Sequence, residues 1–333
     1  MKKKIVCFGV RDYEVPYFDE LGKKYDYDLV YRKEYLNDSC VDLAKGFEVV
    51  MVRGNCAISK ENYKYLKDNG LRYYLTRTAG FNHVDIEACK ENNIEAAFVP
   101  GYSPSAISEL ALSLTMSLLR NTSYSSDKSA HLDFKVTDQM FSKEIRSCTV
   151  GIIGCGRIGL TTANIFKGIG AKVLGYDKFP KDTDLVKYVE LEELLKESDV
   201  IIIHAAYFKG QNDNLISDKE IKLMKKGVVL VNVARGELLD TDAALKGIKE
   251  GIISGLGLDV IKNEKDIFNH SFNDIKEIKD KTLQELISLY PKVLITPHVA
   301  SATVDALIDM IEISLQNMDE YLTTNKCKNS LIK

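Results

Sequence analysis

The chain has 333 residues, an apolar fraction of 45% and a formal net charge of −3. This length predicts about two domains with separate cores, and the apolar fraction is typical of globular proteins. Without a strong positive excess, nucleic acid is not expected as a partner. No apolar run approaches the roughly 20 residues that cross a bilayer, so no membrane partner is expected either.

The seven cysteines are odd in number, scattered through the chain, and form no CxxC pair. This pattern argues against both a zinc site and a disulfide framework. The N-terminal apolar run "IVCFGV" is too short for a signal peptide. We therefore predict a reduced, cytoplasmic protein without a metal site.

The first hundred residues alternate between strand and helix patterns. Short runs rich in Val, Ile and Tyr predict strands at "KKIVCFGV", "YDLVYR", "EVVMVR", "LRYYLTRT" and "IEAAFVP". The stretches between them predict helices at "YFDELGKKY", "CVDLAKGF", "KENYKYLKDNG" and "VDIEACKENN". Regular alternation of this kind indicates a parallel sheet with helices on both faces.

A long apolar helix is predicted over 103–121, as a bridge between domains. Strands are then expected at 149–153, 172–176, 199–204, 228–233, 255–259 and 293–296. A polar stretch over 262–285 is expected to cover a sheet edge or a cleft. After residue 302 an amphipathic helix is predicted to pack back on the first domain. Its apolar face contains Val304, Leu307, Ile308, Ile311 and Leu315. The predicted fold is α/β, with two doubly wound parallel-sheet domains and a cleft between them.

A nucleotide-binding pattern opens the second half. Gly154, Gly156 and Gly159 form GxGxxG between a strand and a helix, and the next strand ends at Asp177. The first two glycines allow a tight turn and close approach of the pyrophosphate, and the third allows helix–strand packing. The N–H groups at the helix start, including those of Arg157 and Ile158, would face the phosphates.

Asp177 would accept bonds from the adenosine ribose hydroxyls and repel a 2′-phosphate, which favours NAD over NADP. A glycine turn without a ligand is the alternative.

Three further residues follow predicted strands of the second half. They are Arg235 in "VNVARGELLD", Glu264 in "GLDVIKNE" and His298 in "LITPHVAS". Each also has a purely structural interpretation. Arg235 could be a surface charge, Glu264 part of a solvated charged loop, and His298 the residue that ends a strand. Because ligands bind at the carboxyl ends of parallel strands, all three could face one cleft and act together.

These motifs resemble those of the D-2-hydroxyacid dehydrogenases, an NAD-dependent family that includes D-lactate, D-2-hydroxyisocaproate and (R)-2-hydroxyglutarate dehydrogenases. The resemblance covers nearly the whole chain and includes "RTAGFNHVD", "VPGYSPSAISELAL", "TVGIIGCGRIG", "LVNVARGELLD", "GLDVIKNE" and "ITPH". It implies that His298 gives a proton to the keto oxygen while NADH delivers hydride. Glu264 would hold His298 protonated, and Arg235 would bind the substrate carboxylate.

The resemblance also implies contacts for residues outside this group. Those expected near the nicotinamide are Asn232, Ala234 and Asp259, and those expected near the substrate are Ala79, Gly80 and Tyr102. It further implies a substrate domain, flavodoxin-like, of residues 1–102 plus 300–333 and a Rossmann NAD domain of residues 103–299. A homodimer is expected, built through the NAD domains and the helix at 103–121.

Two segments depart from the family. His204-Ala205-Ala206 replaces a His-Pro or His-x-Pro pattern, so contacts with adenosine could differ. The segment "HVASATVD" lacks the tyrosines that many D-lactate members carry after the histidine, which makes D-lactate itself a less certain substrate.

The identity of the hydroxy acid depends on Arg53. In "VMVRGNCAIS" this cation follows a first-domain strand and would suit a second carboxylate, as in 2-oxoglutarate. The combination of "RGNC" and "LTRTAG" resembles the (R)-2-hydroxyglutarate members most. The alternatives are that Arg53 points to solvent or pairs with a local acid. In that case we expect a reductase of branched or aromatic 2-oxo acids such as 2-oxoisocaproate, or a D-lactate type enzyme. The alternative from another functional class is a binding protein that senses NAD and catalyses no reaction.

Overall fold

The computed structural model describes residues 3–332, and the chain divides into two compact units. The first contains the residues up to Ser103 together with those from Ala302 onward, and the second is Pro104–Ser301. Each unit is built on its own parallel sheet with helices between the strands. The predicted α/β class with two parallel sheets is confirmed.

The first unit contains a five-stranded sheet. Its strands are β1 (Lys3–Cys7), β2 (Tyr27–Tyr31), β3 (Val49–Val52), β4 (Tyr73–Thr76) and β5 (Glu95–Ala97), in the order β2-β1-β3-β4-β5. All pairs are parallel. The connecting helices are α1 (Val15–Tyr25), α2 (Lys60–Asp68) and α3 (Ile86–Glu91). The prediction of a helix at "CVDLAKGF" is wrong. Only a 3-10 turn forms at Val41–Ala44, because Lys45 is extended and Gly46 adopts φ +81°.

The second unit begins with two helices, α4 (Pro104–Leu119) and α5 (Thr122–Ala130). Asn121 separates them with a left-handed φ of 51°, a conformation that asparagine tolerates better than most residues. The sequence analysis predicted α4 but not α5, because α5 buries no residue and so has no apolar stripe to recognise.

The second sheet has seven parallel strands. They are β6 (Thr149–Ile153), β7 (Lys172–Tyr176), β8 (Lys187–Tyr188), β9 (Val200–Ile203), β10 (Val228–Asn232), β11 (Ile253–Leu258) and β12 (Val293–Ile295). Their order is β12-β11-β10-β9-β6-β7-β8, so the winding direction changes between β6 and β9. Nucleotides bind beyond the strand ends at such a switch point.

The helices between these strands are α6 (Arg157–Gly168), α7 (Leu191–Glu197), α8 (Asp218–Ile221), α9 (Thr241–Lys249) and α10 (Lys281–Ser288). The polar stretch 262–285 contains 3-10 turns at Glu264–Asp266 and Ile275–Glu277.

The last helix, α11 (Val304–Thr324), packs within the first unit, as predicted. The side chains of Leu307, Ile311 and Leu315 lie in the same core as those of β1 and β4. Val304 is the exception to the predicted apolar face, since it is 53% exposed. It is the first residue of the helix and precedes the packed turns. Within residues 3–332, no helix is long and apolar enough to cross a bilayer.

Candidate active site

Three neighbouring strands of the second sheet end at the same edge. Because β10, β11 and β12 are adjacent and parallel, the segments that follow them lie side by side. Arg235 follows β10, Glu264 lies in the segment after β11, and His298 follows β12. The strand order thus brings the three predicted catalytic residues to one edge of one sheet.

His298 and Glu264 are in direct contact. Nδ1 of His298 lies 2.9 Å from Oε1 of Glu264, and the two side chains are 40% and 34% exposed. One ring nitrogen is therefore oriented by a carboxylate. The side chains keep enough exposed surface to meet a small molecule.

Asp259 holds the loop that carries His298. Its carboxylate accepts bonds from the Thr296 hydroxyl (2.6 Å) and from the N–H groups of Val299 (2.9 Å) and Ala300 (3.0 Å). Its carbonyl accepts the N–H of His298 at 2.9 Å. These bonds fix His298 in a left-handed conformation with φ 54°, which is uncommon for residues other than glycine.

The predicted contact of Asp259 with nicotinamide stays a prediction, and the structure shows a further role for this residue. The residue has no accessible surface, and its carboxylate is turned toward the His298 loop. Burial raises the pKa of this carboxyl group, while the bonds from Thr296, Val299 and Ala300 act in the opposite direction. The sequence pattern placed Asp259 at a strand end but could not show which neighbouring loop it faces.

The turn that carries Arg235 is shaped by Asn232. The amide of this buried residue donates to the Arg235 carbonyl at 2.9 Å and accepts from the Ala234 N–H at 3.1 Å. A Cβ at Gly236 would lie only 2.1 Å from the carbonyl carbon of Ile261. The turn thus packs tightly against the segment that leads to Glu264. Arg235 itself is half-buried, and its Nη1 donates to the Ala234 carbonyl at 2.7 Å.

The glycine pattern forms a turn that fits a dinucleotide. Gly154 adopts φ +94°, and a Cβ there would lie 2.4 Å from the Ala205 nitrogen. A Cβ at Gly159 would lie 2.0 Å from the Gly154 oxygen. Gly156, by contrast, has open space around its Cβ position and caps α6 without a side-chain bond. The start of α6, with exposed Arg157 and half-buried Ile158, is therefore free for a pyrophosphate.

Asp177 lies beside this turn at the end of β7. Its carboxylate accepts the N–H groups of Cys155 at 2.7 Å and Phe179 at 2.8 Å. Each oxygen retains a lone pair that a ribose hydroxyl can use. An adjacent surface pocket is lined by Tyr176, Asp177, Lys178, Pro180, Tyr188, Val189 and Glu190.

In the first unit, Arg53 is paired with an acid that the sequence analysis missed. Nη1 of Arg53 lies 3.0 Å from Oε1 of Glu14, which is only 1% exposed. The other oxygen of Glu14 accepts the Arg11 N–H at 2.9 Å and lies 4.0 Å from Nη1 of buried Arg77. Burial lowers the pKa of Arg77, and Glu14 opposes this effect. The only sequence signal for Glu14 was its place in "FGVRDYE".

The segment after β4 is held by a short series of polar side chains. Thr78 donates to the Gly80 carbonyl at 2.7 Å, and Thr76 lies 2.8 Å from Thr78 and 2.9 Å from Nε2 of His83. Within the described part of the chain, the backbone N–H groups of Ala79 and Gly80 have no hydrogen-bond partner. They are therefore available to a ligand. Tyr102, near the end of this unit, is half-buried.

Comparison with known proteins identifies relatives of this chain. Residues 112–300 match the NAD-binding domain of the D-isomer specific 2-hydroxyacid dehydrogenases. An aromatic 2-oxoacid reductase of Clostridium sporogenes is 37% identical, with 99% of each chain covered. A D-lactate dehydrogenase of Staphylococcus aureus is 33% identical over 98% of this chain and 99% of its own.

Solved structures give the same result. The NAD complex of a D-isomer specific 2-hydroxyacid dehydrogenase from Lactobacillus delbrueckii is 33% identical and has a TM-score of 0.88. The match covers 99% of this chain and 100% of that one. The match to an NAD-binding domain and the fit of the glycine turn identify the cofactor as NAD. The chain therefore belongs to the D-isomer specific 2-hydroxyacid dehydrogenases, which are NAD-dependent oxidoreductases acting on the CH–OH group of 2-hydroxy acids.

Proposed function

We propose that this enzyme reduces a 2-oxo acid to the (R)-2-hydroxy acid with His298 as the proton donor. The observation that carries the proposal is the contact of 2.9 Å between His298 Nδ1 and Glu264 Oε1 at the end of β12. Because Nδ1 faces the carboxylate, Nε2 is the nitrogen that gives its proton to the keto oxygen. Bound NADH supplies the hydride.

Arg235 and Glu264 have separate roles in this proposal. Arg235 binds the substrate carboxylate, since a planar guanidinium pairs well with two carboxylate oxygens. Glu264 orients the imidazole and stabilises its charged form before proton transfer. The backbone N–H groups of Ala79 and Gly80 have no partner within the described residues, which supports a contact with a ligand carboxylate in the first unit. Arg53 and Tyr102 would line the side-chain end of the substrate.

The experiment is to measure NADH oxidation with pyruvate, phenylpyruvate, 2-oxoisocaproate and 2-oxoglutarate by wild type and His298→Gln. We expect turnover by wild type and a loss of at least about a thousandfold in kcat for the variant, with NADH binding retained. Binding of NADH by wild type without oxidation on any of these acids would support an NAD-sensing protein instead.

We further propose an acid with a single carboxylate and an aromatic or branched side chain as the substrate. The pairing of Arg53 with buried Glu14 supports this choice, because the guanidinium already has a counter-charge. The names of the relatives, an aromatic 2-oxoacid reductase and D-lactate dehydrogenases, support it as well.

A second candidate is 2-oxoglutarate, the substrate favoured by the sequence pattern at Arg53. The observation in its favour is that Arg53, Arg77 and Glu14 together carry one net positive charge, +1 +1 −1. If kcat/KM is higher for 2-oxoglutarate than for phenylpyruvate, and Arg53→Ala reverses that order, this candidate replaces the first.

We also propose that the chain forms a homodimer through the second unit. Four large apolar side chains within ten residues are strongly exposed: Leu132 (82%), Phe134 (74%), Val136 (76%) and Phe141 (77%). Such clustering on a surface marks an interaction site, and a second copy is the partner we assign to it. Light scattering should give twice the chain mass for wild type. A Phe134→Asp, Phe141→Asp variant should have the mass of one chain.

A further inference from the structure

His204, at the end of β9, has no assigned role in the reaction, yet its imidazole begins a chain of three hydrogen bonds. Its Nε2 lies 2.8 Å from the Thr162 hydroxyl in α6. Thr162 donates to the Ser108 hydroxyl of α4 at 2.9 Å, and Ser108 donates to the Ile158 carbonyl at 3.2 Å. Thr162 and Ser108 have no accessible surface. This series of hydrogen bonds therefore runs through the interior of the second unit and ends on the first turn of α6.

Counting the protons in this series of hydrogen bonds shows which nitrogen of His204 carries a proton. The Ile158 carbonyl can only accept, so the single hydroxyl proton of Ser108 is used there. Ser108 must then accept from Thr162, whose own proton is used in turn. Nε2 of His204 is left as the required donor, which is the Nε2–H form of the ring.

The surroundings of the ring also favour the uncharged form. The residue as a whole is half-buried, but desolvation of its ring lowers the pKa of His204 from 6.5 to about 3, with no contribution from a charged side chain. A neutral ring with its proton on Nε2 has none on Nδ1. Burial accounts for the neutral ring, and the order of the hydrogen bonds places its proton on Nε2; together they define the neutral Nε2–H tautomer.

The main chain of His204 contacts the other end of the glycine turn. Its N–H donates to the Ile153 carbonyl at 2.7 Å, directly before Gly154. A Cβ on Gly154 would lie 2.7 Å from the carbonyl carbon of His204, so the two segments touch. One residue therefore contacts the start of the turn by its backbone and supports the end of the turn by its side chain.

We propose that His204, held as the neutral Nε2–H tautomer, is a positioning residue that fixes the turn Gly154–Gly159 for the pyrophosphate of NAD. It acts through Thr162 and Ser108. This role is independent of the proton donor and of the identity of the 2-oxo acid.

The first test reads the tautomer directly in the wild-type protein. Long-range ¹H–¹⁵N spectra of histidine-labelled enzyme, with His204 assigned by a His204→Gln variant, should show a neutral ring protonated at Nε2. This pattern should persist from pH 5.5 to pH 9. A proton on Nδ1, or a transition to imidazolium within that range, would overturn the proposal.

The second test measures NADH binding without substrate, by fluorescence titration. Thr162→Val keeps the shape of the side chain but removes the acceptor for Nε2, and we expect its Kd for NADH to rise about tenfold. Thr162→Ser, which retains a hydroxyl, should remain within about threefold of wild type.

Thr161→Val is the matched control, because Thr161 lies on the same helix and, among the described residues, its hydroxyl bonds only to the Arg157 carbonyl. Its Kd should change by less than about twofold. Equal Kd values for Thr162→Val and Thr161→Val would refute the positioning role. Should Thr162→Val fail to fold, the spectra of the wild-type protein still test the proposal, because they report the tautomer of His204 directly.

Discussion

Nδ1 of His298 lies 2.9 Å from Oε1 of Glu264, although the two residues are 34 positions apart and follow different strands. The contact exists because β11 and β12 are neighbours in the sheet. The carboxylate of buried Asp259 holds the loop of His298 through three hydrogen bonds. One carboxylate orients the ring, and another fixes the backbone that carries it.

The first prediction concerns Glu264. Glu264→Gln keeps the size of the side chain but removes the charge that stabilises an imidazolium, so kcat for 2-oxo acid reduction should fall about ten- to a hundredfold. The KM for NADH should remain within about twofold, because Glu264 is remote from the glycine turn in sequence and strand order. The control is Asp266→Asn in the same 3-10 turn, whose exposed side chain has no bond to His298. Equal kcat values for the two variants would contradict the assigned role.

The second prediction concerns Gly159. Gly159→Ala would place a methyl group about 2.0 Å from the Gly154 oxygen, so the turn must open and NADH binding should weaken by more than about tenfold. Gly168→Ala is the matched control, since this glycine ends the same helix with open space at its Cβ position. It should leave NADH binding unchanged and alter stability by at most about 1 kcal/mol. Titration of NADH fluorescence measures both.

The third prediction is a pH dependence of stability caused by His204. Its pKa is about 3 in the folded chain against 6.5 in an unfolded one, so between these values the unfolded chain binds more protons. Stability should therefore decline as pH falls through 6.5 toward 3, by up to about 1.4 kcal/mol per pH unit.

Urea unfolding of wild type and His204→Gln at pH 7.5, 6.0 and 5.0 measures this slope. The variant lacks the titrating ring and should have a shallower slope over the same range. Identical slopes would show that His204 does not titrate differently on folding.

The fourth prediction concerns Glu14. Its removal leaves the guanidinium of Arg77, which is 2% exposed, with the Phe8 carbonyl and the ring of Phe18 as its remaining partners among residues 3–332. Glu14→Gln should therefore lower the free energy of unfolding by about 3–5 kcal/mol. Glu91→Gln breaks an exposed ion pair with Lys60 and should cost no more than about 1 kcal/mol. A similar cost for both, measured by urea unfolding, would contradict the buried charge network.

Some errors of the sequence analysis have a physical cause. The residues 41–44 carry apolar spacing that suits a helix, but the left-handed Gly46 ends the segment after a single 3-10 turn. Helix α5 was missed because it buries no side chain and so leaves no apolar stripe in the sequence. The bonds of Asp259 to the loop of His298 were also missed, because only the packing of that loop shows where its carboxylate points.

The sequence by itself determined the alternating α/β pattern, the glycine turn with Asp177 at the end of the following strand, and the chain order of Arg235, Glu264 and His298. These features depend on local spacing, on backbone freedom at glycine and on periodic burial. Only the tertiary structure decided which polar side chains meet: Glu264 with His298, Glu14 with Arg53 across 39 positions, and His204 with Thr162 across 42. Such pairs join segments that follow different strands. The order of strands in a sheet, rather than the spacing along the chain, brings those segments together.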